Sequence, residues 1–306
     1  MERGLGGEVK RSKTQVRKGS SVNATQRLEL ASDSAPRLDL GAWGLRLTAI
    51  IYLGAMIGIP TAVVLIKGFE GGVAAFFDSL LTPMALSAIR LTLTTALIMT
   101  VINTVMGVLT AYMLVRYTFP GKALFNAFID LPIAIPTLVT GVMLVLLYGP
   151  QTALGSFIEA QTGQRIIFEP PGIVLALLFV SYPFVIRAVQ PVLLNLSINQ
   201  EEAAQTLGAS EWTTFWRVIF PVIRPAVISG ALLSFARALG EFGSIIIVAG
   251  NVPMRSQTAT VYVYSQIEAG DIAAATGISA VLILVAFTIT TLVEILQVRG
   301  RSHART

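Results

Sequence analysis

The chain has 306 residues; 54% are hydrophobic, only 13% are charged, and the net charge is +5 at pH 7. Its mean hydropathy is +0.73. About a quarter of an ordinary soluble domain is charged, so most of this chain must face lipid or other helices, which excludes a disordered protein, a cytosolic enzyme and a secreted disulfide scaffold. With no cysteine, and His303 as the only histidine, thiolate chemistry, disulfides, a histidine triad and a multi-histidine zinc site are excluded as well. The cations lie between hydrophobic stretches rather than on one motif, which argues against nucleic acid. The expectation is an all-α, polytopic membrane protein.

Residues 1–42 are polar and mixed in charge, and no apolar run precedes residue 43. An ordinary cleavable signal peptide is not expected there. The composition reads as a flexible cytoplasmic tail, with a docking or regulatory arm as the other reading.

A span needs roughly 20 mainly apolar residues. Six transmembrane helices are predicted, at about 44–66, 88–113, 128–148, 172–190, 226–249 and 273–297. They make a permease domain over 43–297, and 298–306 remain as a C-terminal tail. The spans are interrupted by Gly, Pro or isolated polar residues, which suits helices packed around a pathway better than simple anchors. Gly54 and Gly58 have the GxxxG spacing of closely approaching helices.

Lysine and arginine set the orientation. The tail, Arg46, Arg116, Lys122, Arg187, Arg217, Arg224, Arg299, Arg301 and Arg305 fall on one side, against Lys67, Arg165 and Arg255 on the other. Both termini are therefore expected to be cytoplasmic.

Residues 191–225, on the cytoplasmic side, do not look like a spacer. Asn199 to Leu207 is rich in helix formers, and Gly208 breaks it. Ser210 is an N-cap for a second short helix through Trp212, Phe215 and Trp216, which Pro221 and Pro225 should end. Two readings fit: a rigid knob that docks in a partner, or an amphipathic helix lying on the bilayer.

Within this loop, Glu202-Ala203-Ala204, Gly208 and Val218-Ile219-Phe220-Pro221 resemble the EAA loop of ABC-importer permeases. The usual pattern has Ile and Leu where Val218 and Phe220 stand. The resemblance runs from about residue 85 to 297. It includes Leu114-Val115-Arg116-Tyr117, Phe119-Pro120-Gly121-Lys122, Asp130-Leu131-Pro132, Pro183-Phe184-Val185 and Gln190-Pro191-Val192. Ser234-Phe235-Ala236-Arg237-Ala238-Leu239-Gly240-Glu241-Phe242-Gly243 and Ala249-Gly250-Asn251 are similar to the oxyanion permeases, for sulfate/thiosulfate and molybdate. Asp130-Leu131-Pro132 and Gly250-Asn251 lean toward the T-type sulfate/thiosulfate subunit.

The resemblance implies a type I ABC-importer permease fold in a bacterial inner membrane. It implies a second permease (a related W-type chain), an ABC ATPase dimer and an extracytoplasmic binding protein as partners. Glu202, Ala203, Ala204 and Gly208 would be the coupling helix docked on the ATPase. No cofactor is expected in this chain; it lacks G-x-x-x-x-G-K-[ST] and cannot be the ATPase. ATP and Mg would sit in the partner. The alternatives are a molybdate/tungstate permease and, from a different class, a secondary transporter; the latter should show two similar halves, and no three-span repeat is visible.

An anion crossing a bilayer needs positive charge or aligned N–H dipoles. Arg237 is placed mid-span, with Glu241 four residues on and on the same helix face. It either attracts the anion while Glu241 fixes its rotamer, or forms a structural pair that locks the fifth helix. Gly240 and Gly243 read as packing residues or as a gating hinge. Ser234 and Ser244 offer hydroxyls to an oxyanion or, the preferred reading, to their own helix carbonyls. Arg90 reads as a snorkelling residue at the outer end of the second span.

Overall fold

The structure is a computed structural model, and it describes residues 40–303. The predicted tail at 1–42 lies outside the described residues except for its last three. Among the described residues every regular element is helical. The chain forms two units, Met1–Met56 and Ile57–Thr306. In the first, α1 is Leu40–Leu53, whose large hydrophobic side chains from Trp43 onward are exposed.

The second unit holds everything else. A π-helical turn, Gly54–Gly58, crosses into it and leads to α2, Ile59–Gly68, with Pro60 in its first turn. Then come α3 (Gly72–Leu80), α4 (Pro83–Arg116), α5 (Lys122–Ala134), α6 (Thr137–Tyr148), α7 (Ala153–Thr162) and α8 (Pro170–Asn195). After these follow α9 (Ile198–Thr206), α10 (Glu211–Thr214), a π turn at Phe215–Ile219, α11 (Phe220–Leu239), α12 (Gly243–Ala249), α13 (Ala259–Glu268) and α14 (Ile272–His303).

Five stretches are long and apolar enough to cross a membrane, Trp43–Gly68, Pro83–Arg116, Pro170–Asn195, Glu211–Leu239 and Ile272–Ile295. A sixth exists if the bent pair Lys122–Ala134 and Thr137–Tyr148 is one span.

That pair corrects the third predicted span. The chain does not run straight through 128–148; it turns by 110°. Pro136 lacks an N–H and pushes Ile135 out of the helical region, and Ile135 is extended at φ −80°, ψ 130°. The fifth predicted span, 226–249, is also broken, because α11 ends at Leu239 and α12 starts at Gly243. At its other end the helix is longer than expected. Pro221 and Pro225 do not terminate the segment after Ser210; α10, the π turn and α11 run on as Glu211–Leu239. The π turn supplies the slack that a proline inside a helix demands. The last helix passes residue 297 and continues to His303.

The core is α8 flanked by α4 and α11, with α14 packed on α11 and α12 on α6. One apolar cluster joins Val108, Ala111 and Leu114 of α4 to Val185, Ile186, Val189 and Leu193 of α8 and Ile223 and Val227 of α11. A second joins Ala96 and Met99 to Ile173 and Leu177, and these to Ala238, Leu239, Ile245 and Ala249. Two glycines allow the close approach. A Cβ on Gly107 would stand 2.8 Å from Val185 Cβ, and one on Gly230 would stand 2.9 Å from Ala188 Cβ. Buried hydroxyls and amides satisfy one another across the same helices: Thr110 Oγ1 and Tyr182 Oη lie 2.7 Å apart, and Asn103 Nδ2 donates to Leu178 O at 3.2 Å.

Gly107→Ala should therefore destabilise the folded protein by about 1–3 kcal/mol, the usual cost of an added methyl in a filled core. Gly44→Ala, where a Cβ meets nothing within 4 Å, should be close to neutral. Thermal unfolding of the detergent-solubilised protein distinguishes the two.

Candidate functional site

Two regions carry the sequence-predicted site residues, the break after α11 and the loop around α9. At the break, Gly240 is non-helical and Glu241 lies beyond the helix end, so Arg237 stands in the last turn of α11 rather than mid-helix. The expected pair forms nonetheless, with Arg237 Nη1 2.8 Å from Glu241 Oε2. The two partners differ in environment. The Arg237 side chain is 33% exposed, whereas Glu241 is 2% exposed.

The other carboxylate oxygen of Glu241 is also engaged. Ser244 N and Ser244 Oγ both donate to Oε1, at 2.9 and 3.0 Å. Thr260 Oγ1 donates to the Glu241 carbonyl at 2.8 Å. Glu241 thus holds the first turn of α12 and ties the break to α13. Ser244 is committed to this carboxylate and not to a helix carbonyl as expected. Ser234 is fully buried, and its hydroxyl faces Ser181 O at 3.5 Å and Met99 Sδ at 3.6 Å. Unlike Ser244, it turns to neighbouring helices.

The two glycines at the break differ. A Cβ on Gly243 would lie 2.2 Å from Thr137 Oγ1, whereas one on Gly240 meets nothing nearer than 4.0 Å, at Arg237 O. Gly243 is a close-packing residue against the start of α6. Gly141 continues the same contact, since its Cβ would stand 2.8 Å from Ile247 Cβ. Gly250 closes α12 at φ +71°, and Asn251 beyond it accepts from Gln257 Nε2 at 2.8 Å and donates to Ser265 Oγ at 3.0 Å.

The loop behaves largely as its sequence suggests. The Ser210 hydroxyl caps the following helix by accepting from Thr213 N at 3.3 Å. Gly208 stands at φ +86°, a conformation that L side chains adopt at a cost of about 1–2 kcal/mol. Glu202, Ala203, Gln205 and Thr206 are exposed, and Leu207 is 89% exposed. Trp212 and Trp216 stack edge-on, with ring centroids 5.6 Å apart, and both remain exposed. Glu201, one residue before the motif, is instead buried and pairs with Arg116 at the end of α4.

Two ionic clusters that join separate helices are absent from the sequence reading. One is the Arg116–Glu201 pair. The other is Arg187 on α8, which grips Asp130 of α5 in a fork, Nε to Oδ1 at 2.7 Å and Nη2 to Oδ2 at 2.6 Å. Its remaining donors reach Asn126 Oδ1, Asn126 O and Gln190 Oε1. The charge count assigns Arg187 to the cytoplasmic side; it lies within an apolar helix, where an interior cation is itself a signal.

A cavity of about 510 Å³ opens between the ends of α7 and α8 and the loop after α12, lined by Glu159, Arg165, Glu169 and Arg255 among others. It contains neither Arg237 nor Glu241. Arg165 Nε donates to Glu159 at 2.7 Å, and this hydrogen bond raises the pKa of the guanidinium.

Helices broken inside an apolar bundle, and a glycine-turned helix pair on one loop, define a polytopic membrane protein. Residues 103–299 match the family described as "Binding-protein-dependent transport system inner membrane component". The chain belongs to this family. It is 42% identical to the "Sulfate transport system permease protein CysT" of Synechocystis sp., over 83% of this chain and 89% of the relative. It is 41% identical to the CysW permease protein of the same organism, over 83% of this chain and 92% of the relative. The fold resembles that of a chain in the crystal structure of a bacterial alginate ABC transporter, with a TM-score of 0.70 at 18% identity over 85% of this chain and 95% of that one. A methionine ABC transporter chain gives a TM-score of 0.52 at 17% identity over 70% and 95%.

Gly243→Ala should lower stability by about 1–3 kcal/mol through its clash with Thr137, whereas Gly240→Ala should leave both stability and transport intact. Unfolding temperature and transport rate, measured side by side, check the pair. Loss of transport in a stable Gly240→Ala protein would show that the break needs a glycine at 240 in order to flex.

Proposed function

We propose that this chain is one of two permease subunits of an ATP-driven importer of sulfate and thiosulfate. The observation that carries the substrate is the 42% identity to a sulfate permease along nearly the whole of both chains. The related CysT and CysW sequences fit a pairing of this chain with a second, W-type permease. An ABC ATPase dimer, holding ATP and Mg, and an extracytoplasmic binding protein complete the assembly. Both termini and the loop at 196–219 face the cytoplasm of a bacterium, in keeping with the distribution of Lys and Arg.

In this reading the exposed row Glu202, Ala203 and Leu207, with Ala204 half-buried beside it and Gly208 turning the chain, is the surface that docks on the ATPase. Small alanines permit close approach, and the glycine gives the loop its corner. ATP binding draws the ATPases together, the loop follows, and the spans alternate between outward and inward opening. The chain itself makes and breaks no covalent bond.

Arg237 serves the anion path, with Ser234, Gly240, Glu241 and Gly243 shaping its surroundings. Among the described residues Glu241 is its one ionic partner, and a third of the side chain remains accessible. A bare cation in low dielectric would hold a dianion too firmly to release it, and the neighbouring carboxylate moderates the field.

The test is sulfate uptake into proteoliposomes that contain the complete transporter and its binding protein. ATP-dependent uptake that thiosulfate inhibits supports the proposal. Faster uptake of molybdate would transfer the chain to the molybdate group, and uptake without the ATPase would make it a secondary transporter. Arg237→Gln should cut uptake per assembled complex about tenfold or more, the scale of a lost charge contact. Adding Glu241→Gln should not restore it. Recovery in the double variant would reduce Arg237 to a structural partner of Glu241.

A further inference from the structure

We infer that the Arg116–Glu201 pair is the strut through which the coupling loop moves the membrane helices. The inference rests on the reading of the 196–219 loop as the ATPase contact, and it names the residue that carries the motion onward. Arg116 is the last residue of α4, a 34-residue helix about 50 Å long at 1.5 Å per residue. Its Nη2 bonds both the Glu201 carboxylate on α9 and, at 3.3 Å, the carbonyl of Leu196 at the end of α8. One guanidinium thus joins the ends of α4 and α8, which belong to the core block, to α9, which carries the docking residues.

The pair is largely buried, with side-chain exposures of 10% for Arg116 and 11% for Glu201. Glu201 and Glu202 are adjacent and diverge, the first turned into the protein and the second exposed. A push on the exposed face therefore arrives at Arg116 within one residue. Tyr112, one turn earlier on α4, adds a second contact with the same loop, edge-on to Phe215 with ring centroids 5.8 Å apart.

Stability alone is a poor reason for this arrangement. A buried ion pair often stabilises no more than an apolar pair of the same volume, because desolvation offsets the attraction. Here the cost is larger still, since Arg116 Nε is buried without a hydrogen-bond partner. What an ion pair supplies and an apolar contact does not is a directional link that resists sliding as well as separation. The position of Arg116 at a helix C-terminus, where the dipole favours a cation, helps keep the charge there.

The experiment uses the complete reconstituted transporter and reads three quantities: assembled complex, ATP hydrolysed, and sulfate taken up. The wild-type complex is measured first. If it fails to couple ATP hydrolysis to sulfate uptake, the proposed function fails, and the strut is not what has been tested. Glu201→Gln should raise the ATP hydrolysed per sulfate by at least about fivefold, the lower end of ordinary coupling effects, at unchanged assembly. Arg116→Lys, which keeps the charge, should retain most of the coupling.

The chain has no native cysteine, so Arg116→Cys with Glu201→Cys allows a covalent replacement of the strut. The reduced double variant should be uncoupled, and bridging the two thiols with a short bifunctional reagent should restore the wild-type ratio. Two results overturn the inference: variants that lose assembled complex while the surviving complex keeps the wild-type ratio, or a bridged complex that assembles and remains uncoupled.

Discussion

In hydrocarbon there is no water to take up a backbone N–H or C=O that leaves its helix, and each such group costs several kcal/mol. The two helix breaks in this bundle are therefore its most expensive features, and the surrounding protein is arranged to satisfy them. At 240–242 the Glu241 carboxylate accepts from the Ser244 amide, the Ser244 hydroxyl covers the same oxygen, and Thr260 takes the Glu241 carbonyl. At 135–136 the missing donor belongs to Pro136, which has none to lose. The broken halves then lie against each other, with Gly243 on Thr137 and Gly141 on Ile247. The dependence extends to Arg237, whose guanidinium pairs with this carboxylate, itself only 2% exposed, so the ion pair and the break stand side by side.

Three arginines in or beside the spans are held in three different ways, and the differences sort their roles. Arg187 has every guanidinium donor engaged, by Asp130, Asn126 and Gln190. It has nothing left to offer an anion and acts as a rivet between α5 and α8. Arg116 is largely buried, bonds through Nη2 with its buried Nε unpaired, and joins three elements. Arg237 differs from Arg187 in its donors and not in its exposure, 33% against 30%: its ionic partner takes one Nη, whereas every donor of Arg187 is engaged. Formal charge is the same in each; the number of uncommitted donors and their access decide what each can bind.

Much of this was legible in the sequence. Apolar runs near 20 residues located the long helices, because lipid thickness fixes that length, and Gly208 marked the loop corner because only glycine adopts φ +86° freely. The breaks were less visible. Pro132 and Pro136 stood in a run that hydropathy alone reads as one span, and the sum of apolar residues does not report a 110° turn. Pro221 and Pro225 misled in the other direction, since the π turn that absorbs them depends on packing. For the site, the spacing of Arg237 and Glu241 forecast their contact, but not that the helix ends between them. Partners far apart in the chain, such as Arg116 with Glu201 and Arg187 with Asp130, left no local period to read. The motif drew attention to Glu202, whereas the buried carboxylate is its neighbour.

The placement of small residues decides which parts of the bundle can move separately. Where Gly107 and Gly230 bring α4 and α11 against α8, backbones approach so closely that a single Cβ would collide. Surfaces that interlock at this distance resist sliding, since close-packed interiors transmit displacement with little compression. α4, α8 and α11 therefore behave as one block, and Arg187 fastens the end of α5 to it. A block of this kind cannot open a path by bending in its middle. Relative motion has to be absorbed where helices already end, at Ile135–Pro136 and at Gly240–Phe242, and both breaks lie beside the α6–α12 contact. Arg237 sits on the block side of one break and Glu241 beyond the helix end, so the ion pair spans the joint. A displacement of the rigid block therefore reaches a joint that an ion pair bridges, and bending there changes the separation of the two charges.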